Sequence, residues 1–128
     1  MTTKHRILVV DDDREIREII ADVLSDEGYH VAQATNGAVA LQLLRDEPPP
    51  SAILLDLMMP VMDGTEFRRK QLADPRLAGI PVVLFTADGT VHDRRELVGV
   101  AGVMIKPVGI AELMDLLLRV CTGRTARA

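Results

Sequence analysis

Ile53-Leu54-Leu55 runs without a polar break into Asp56, and the loop behind it, Leu57 to Met62, stays apolar until Asp63-Gly64. An aliphatic run of this kind, bounded by Pro48-Pro49-Pro50 on one side and Pro60 on the other, is a strand buried on both faces. Strands buried on both faces belong to parallel sheets, whose crossover helices cover each side. Asp56 then stands where the chain leaves the core, with no polar loop residue beside it. A carboxylate there costs free energy unless charge or hydrogen bonds satisfy it. The sequence offers Asp11, Asp12, Thr86 and Lys106 as compensating groups.

The rest of the chain supplies the sheet. Ile7-Leu8-Val9-Val10 is a first buried strand, cut off by Asp11-Asp12-Asp13. Ile16, Ile19, Ile20, Val23 and Leu24 follow at helical spacing, and Gly28 supplies the stop. His30 to Ala34 alternates like a half-exposed strand, and Asn36-Gly37 turns into a helix with Val39, Ala40, Leu43 and Leu44 inward. Residues 65–73 form a third helix, with Phe67 and Leu72 as core contacts. Ile80 to Thr86 is a fourth strand, residues 91–98 a weak helix, and Val103 to Lys106 a fifth strand. Pro107 precedes a last helix marked by Ile110, Leu113, Met114, Leu117 and Leu118. Five apolar strands alternating with five helices predict an α/β fold with right-handed crossovers. Residues 1–122 make one domain, and residues 123–128 a polar tail or the start of a linker.

Composition removes several functions. With 128 residues, one Tyr, two Phe and no Trp, the core of a single domain must be aliphatic. A net charge of −4 argues against a nucleic-acid surface, which needs a basic face. The lone Cys121 cannot form an intrachain disulfide and fits a reducing compartment. No apolar run approaches the roughly 20 residues that span a bilayer. The expectation is a soluble cytoplasmic domain.

In open α/β sheets, sites form outside the carboxyl ends of the strands. Asp11-Asp12, Asp56, Thr86 and Lys106 all fall at such ends, so they read as one site. Three carboxylates brought together repel unless a cation sits among them, and hard oxygen ligands with open positions suit Mg²⁺. A hydroxyl and an ammonium complete a cradle for a phosphoryl group, and Asp is a known carboxylate nucleophile. Asp13, just before the helical stripe, is a cap rather than a site residue. The loop methionines are adaptable packing, and His5, His30 and His92 lack metal spacing.

The residues Ile7 to Asp13, Asp56 to Gly64, Phe85-Thr86-Ala87 and Ile105-Lys106-Pro107, in that order and spacing, resemble the receiver domain of two-component response regulators over essentially the whole chain. The resemblance implies a flavodoxin-like five-stranded parallel sheet in the order 2-1-3-4-5 with five helices on its two faces. It implies that Asp56 accepts a phosphoryl group from a sensor histidine kinase or a histidine phosphotransfer protein. Asp11, Asp12, Asp56 and the Met58 backbone carbonyl would hold Mg²⁺, Thr86 and Lys106 would contact the phosphoryl oxygens, and Lys106-Pro107 would be cis. Such a domain is a signalling phosphoacceptor that assists its own phosphorylation and dephosphorylation.

Two positions depart from the family pattern: Val103 stands where an aromatic switch residue is usual, and Val108 where Phe is frequent. A valine has no ring to swing, which leaves room for backbone motion around residues 87–100 as the response. It also sustains an alternative, a receiver-like scaffold that acts by protein binding without being phosphorylated. An Asp-nucleophile phosphatase, with Asp11 attacking and Asp13 as acid, lacks its other catalytic groups here. An FMN carrier would need hydroxyl and glycine donors in the first loop, where Asp11-Asp12-Asp13 repels a phosphate.

Overall fold

A computed structural model describes residues 5–87, 99–107 and 109–122. The elements run β1 (Arg6–Val10), α1 (Arg14–Asp26), β2 (His30–Ala34), α2 (Gly37–Asp46), β3 (Ala52–Leu55), α3 (Gly64–Ala73), β4 (Val82–Thr86), β5 (Gly102–Ile105) and α4 (Ile110–Thr122). All strand pairs are parallel, in the order β2-β1-β3-β4-β5, as expected. Among the described residues there are four helices rather than five. The helix expected at residues 91–98, the tail 123–128 and Val108 lie outside the described residues.

The pleat sends successive side chains to opposite faces. Leu8, Val10, Ile53, Leu55, Val82 and Leu84 therefore meet Ala40, Leu41 and Leu44 of α2 and Phe67 of α3. Ile7, Val9, Ala52, Leu54, Val83 and Phe85 meet Ile20 and Leu24 of α1 and Leu113, Leu117 and Val120 of α4. Every residue of β3 and β4 is buried, which is why those strands carry no polar alternation.

Helix ends follow local chemistry. Asp13, Asn36 and Asp63 cap α1, α2 and α3, each side chain accepting an N–H three residues on. At the end of α1, Gly28 adopts φ 96°, the Tyr29 N–H donates to the Leu24 carbonyl and the Gly28 N–H to that of Ser25. This is a Schellman ending, which a glycine accommodates without a Cβ penalty.

The inward faces of the helices differ from the expected stripes. Ile19, Val39, Leu72, Ile110 and Leu118 are exposed, while Arg17, Ala21, Leu41, Gln71 and Val120 are buried. In α1 the face that meets the sheet is Arg17, Ile20, Ala21 and Leu24, still at helical spacing but including a cation. In α3 the inward place beside Phe67 goes to Gln71, because its amide donates to the carbonyls of Leu77 (2.9 Å) and Ile80 (3.0 Å) and holds the following loop. A leucine there would leave the Ile80 carbonyl unpaired and the Leu77 carbonyl with only the Ile80 N–H.

Candidate functional site

Four strand ends and one loop build the site at the carboxyl edge of the sheet. Beyond β1, the Asp11 N–H donates to the Ala34 carbonyl at 3.1 Å, which fixes the turn against β2. Asp11 is fully buried, and its Oδ1 accepts from the Asp13 N–H at 2.9 Å. Asp12 is exposed. Asp13 points elsewhere, accepting from the Ile16 N–H at 3.1 Å as the α1 cap, so it is not placed to act as an acid.

Beyond β3, Asp56 is 3% exposed, and its N–H donates to the Val10 carbonyl at 3.0 Å. Its Oδ1 accepts from the Met58 N–H at 3.2 Å. The loop then folds back: the Gly64 N–H donates to the Leu57 carbonyl at 3.0 Å, and the Gly37 N–H to that of Met62 at 3.1 Å. Gly64 allows the close approach, since a Cβ there would lie 2.7 Å from the Asp56 carbonyl oxygen. Val61, at the tip, adopts φ 69° and is 82% exposed. That left-handed conformation is costly for a β-branched residue.

Carboxylate oxygens of Asp11, Asp12 and Asp56 all lie within 4.8 Å of one another. Lys106, just past β5, reaches across with Nζ 3.2 Å from Asp11 Oδ2 and 3.4 Å from Asp56 Oδ2. The same ammonium lies 5.0 Å from the centre of the Phe85 ring. The Lys106 N–H donates to the Thr86 carbonyl at 2.8 Å, and the Lys106-Pro107 bond is cis. Thr86 is fully buried at the end of β4.

Burial, followed by the negative charge of Asp11, pushes the Asp56 carboxyl up to about 6. The Met58 N–H and the Lys106 ammonium pull the other way without cancelling that rise. One ammonium therefore undercompensates three carboxylates. The donor set is all hard oxygen, with one exposed member, Asp12, open to water. That combination fits a small divalent cation that keeps part of its hydration. The Met58 side chain is exposed, so only its main chain faces the carboxylates.

One site neighbour is missing from the sequence reading. Arg17 is buried and donates from Nη1 to the Asp11 carbonyl at 2.9 Å. Its spacing, with Ile20, Ala21 and Leu24 at three, four and seven residues on, was the signal that could have found it.

Comparison with known proteins fits this geometry. A family model described as response regulator receiver domain matches residues 7–118. The DNA-binding dual master transcriptional regulator RpaA of Synechocystis sp. is 35% identical over 85% of this chain and 46% of its own length. The chain spans about half the length of the curated relatives it matches. The chemotaxis response regulator CheY4 of Vibrio cholerae superimposes with a TM-score of 0.83 at 31% identity, over 92% of this chain and 99% of that one. The response regulator TrrA of Thermotoga maritima, solved in complex with Mg²⁺ and BeF, gives 0.82 at 27% identity, over 92% and 99%.

Proposed function

The chain belongs to the response regulator receiver family, and on that premise we propose that Asp56 is the phosphoryl acceptor of a phosphorelay. The donor is a phosphohistidine on a sensor histidine kinase or a histidine phosphotransfer protein. The observation that carries this is the convergence of Asp11, Asp12 and Asp56 within 4.8 Å, with Lys106 bridging two of them.

An Asp56 carboxylate oxygen attacks phosphorus as the donor's P–N bond breaks, and the bonding pair returns to the imidazole nitrogen. Little covalent work falls to the protein in such a transfer, so positioning and charge carry the catalysis. Lys106 is placed to follow the new charge, since its ammonium already sits 3.4 Å from Asp56 Oδ2. Thr86, at the neighbouring strand end, offers a hydroxyl to another phosphoryl oxygen. Asp11, Asp12, Asp56 and the Met58 carbonyl would hold Mg²⁺, which supplies positive charge to the carboxylates and the phosphoryl oxygens. Hydrolysis reverses the state when water attacks phosphorus and the bond to the Asp56 oxygen breaks.

Among the described residues no helix is long and apolar enough to cross a membrane, and we assign the chain to the cytoplasm, where such donors are phosphorylated. Direct contact with nucleic acid is not part of this function, because a net charge of −4 repels phosphates. No observation favours a scaffold that is never phosphorylated. Val103 packs partly buried against the α2–α3 side of the core, so the response to phosphorylation passes through backbone rather than a ring at that position.

Intact mass after incubation with acetyl phosphate and Mg²⁺, beside Asp56→Asn, tests the assignment. A phosphate-sized increase that needs Mg²⁺ and is absent in the variant is expected. Labelling that persists in Asp56→Asn would mean that the acceptor is another residue.

A further inference from the structure

Arg17 is 9% exposed, and among the described residues no carboxylate lies within ion-pair distance of it. A guanidinium buried without a counter-ion is costly, and its donors must be satisfied by geometry instead. Two contacts do this. Nη1 donates to the Asp11 carbonyl at 2.9 Å, and Nε donates to Gln33 Oε1 at 3.1 Å. Gln33 lies on β2, opposite Val9 of β1, so the guanidinium fork clamps the end of β1 to the edge strand. The Asp11 N–H is held by Ala34 of the same strand. Asp11 is thus fixed at both its N–H and its carbonyl, and its Oδ1 in turn orders the Asp13 N–H.

We propose that Arg17 is a positioning residue for the cation site. By holding the Asp11 peptide against β2, it presets the turn that presents the Asp11 and Asp12 carboxylates to Asp56. It touches neither Asp56 nor Lys106, which come from other strands. Its loss therefore disorders two of the three carboxylate ligands and leaves the acceptor and its ammonium in place. Groups that orient ligands from behind are commonly worth about 10- to 100-fold in metal affinity. The inference rests on the proposed Mg²⁺ site, and it makes Arg17 and Gln33 a unit whose effect is on metal affinity rather than on maximal rate.

Mg²⁺ titration by calorimetry of the wild type, Arg17→Lys and Gln33→Ala, with acetyl phosphate labelling across Mg²⁺ concentrations, separates the cases. Lysine keeps the charge but has no fork, and the change at Gln33, an exposed position on β2, leaves Arg17 itself intact, which protects against simple unfolding. Both variants are expected to bind Mg²⁺ about tenfold more weakly, with the labelling rate at saturating Mg²⁺ within twofold of wild type. The amide resonances of Asp12 and Asp13 in the metal-free proteins should shift and broaden in both. Wild-type affinity in both variants overturns the positioning role while leaving the Mg²⁺ site standing. A wild type that binds no Mg²⁺ overturns both. Equal loss of maximal rate and affinity would also overturn it, since that pattern means damage to the acceptor itself.

Discussion

Asp56 is held in a protonation state that its own burial opposes. Its carboxyl titrates near 6 in the folded chain against an ordinary 3.8. A raised acid favours the folded state while protonated. Its contribution is thus fully present below about 3.8 and is lost as pH rises through about 6. The difference of about two units corresponds to roughly 3 kcal/mol at neutral pH. Asp56→Asn should therefore stabilise the metal-free protein by a similar order above pH 7 and by almost nothing at pH 4, which thermal melts across pH would check. Labelling of the wild type at fixed low Mg²⁺ should fall as pH drops below about 6, because the nucleophile must be ionised. Val61 carries a second local cost: Val61→Gly or Val61→Asn should gain about 1 kcal/mol in urea unfolding, since a β-branched residue is poorly suited to the left-handed region.

Elements were more legible than the faces they bury. The aliphatic runs of β1, β3 and β4 announced themselves because those strands are covered on both sides, and Asp13, read as a cap, marked where α1 begins. The carboxylates at the strand ends were legible for the same reason: polarity after an apolar run is conspicuous. Arg17 and Gln71 were not, because hydropathy ranks them as surface residues and only their hydrogen-bond partners explain their burial. Three of those partners, the Asp11, Leu77 and Ile80 carbonyls, are backbone atoms that no side-chain pattern reports, and the other two, Gln33 and Arg68, are themselves polar residues. Gln71→Leu should accordingly cost about 3 kcal/mol despite its apolar gain, because the Ile80 carbonyl and the Arg68 guanidinium lose their partner and the Leu77 carbonyl keeps only the Ile80 N–H. Gly64→Ala should cost about 1–3 kcal/mol and also slow labelling, since the added methyl pushes on the Asp56 carbonyl. Equilibrium unfolding and labelling rates on the same preparation would check both.

Across the whole molecule, the sheet divides two apolar layers and brings its strand ends to one rim, where Asp11, Asp56 and Lys106 meet. Lys106→Ala should make stability depend on metal: the melting temperature without Mg²⁺ should drop, and the rise on adding Mg²⁺ should exceed that of the wild type. In the wild type, chelation of Mg²⁺ should abolish labelling and leave the fold cooperative, which circular dichroism would record. The ammonium is a built-in counter-ion, present from synthesis and covalently unable to leave. A newly made chain can thus fold before it meets any metal and wait in readiness. If Mg²⁺ fills the site as proposed, its free concentration would then govern how quickly the population is charged rather than how many molecules exist to be charged.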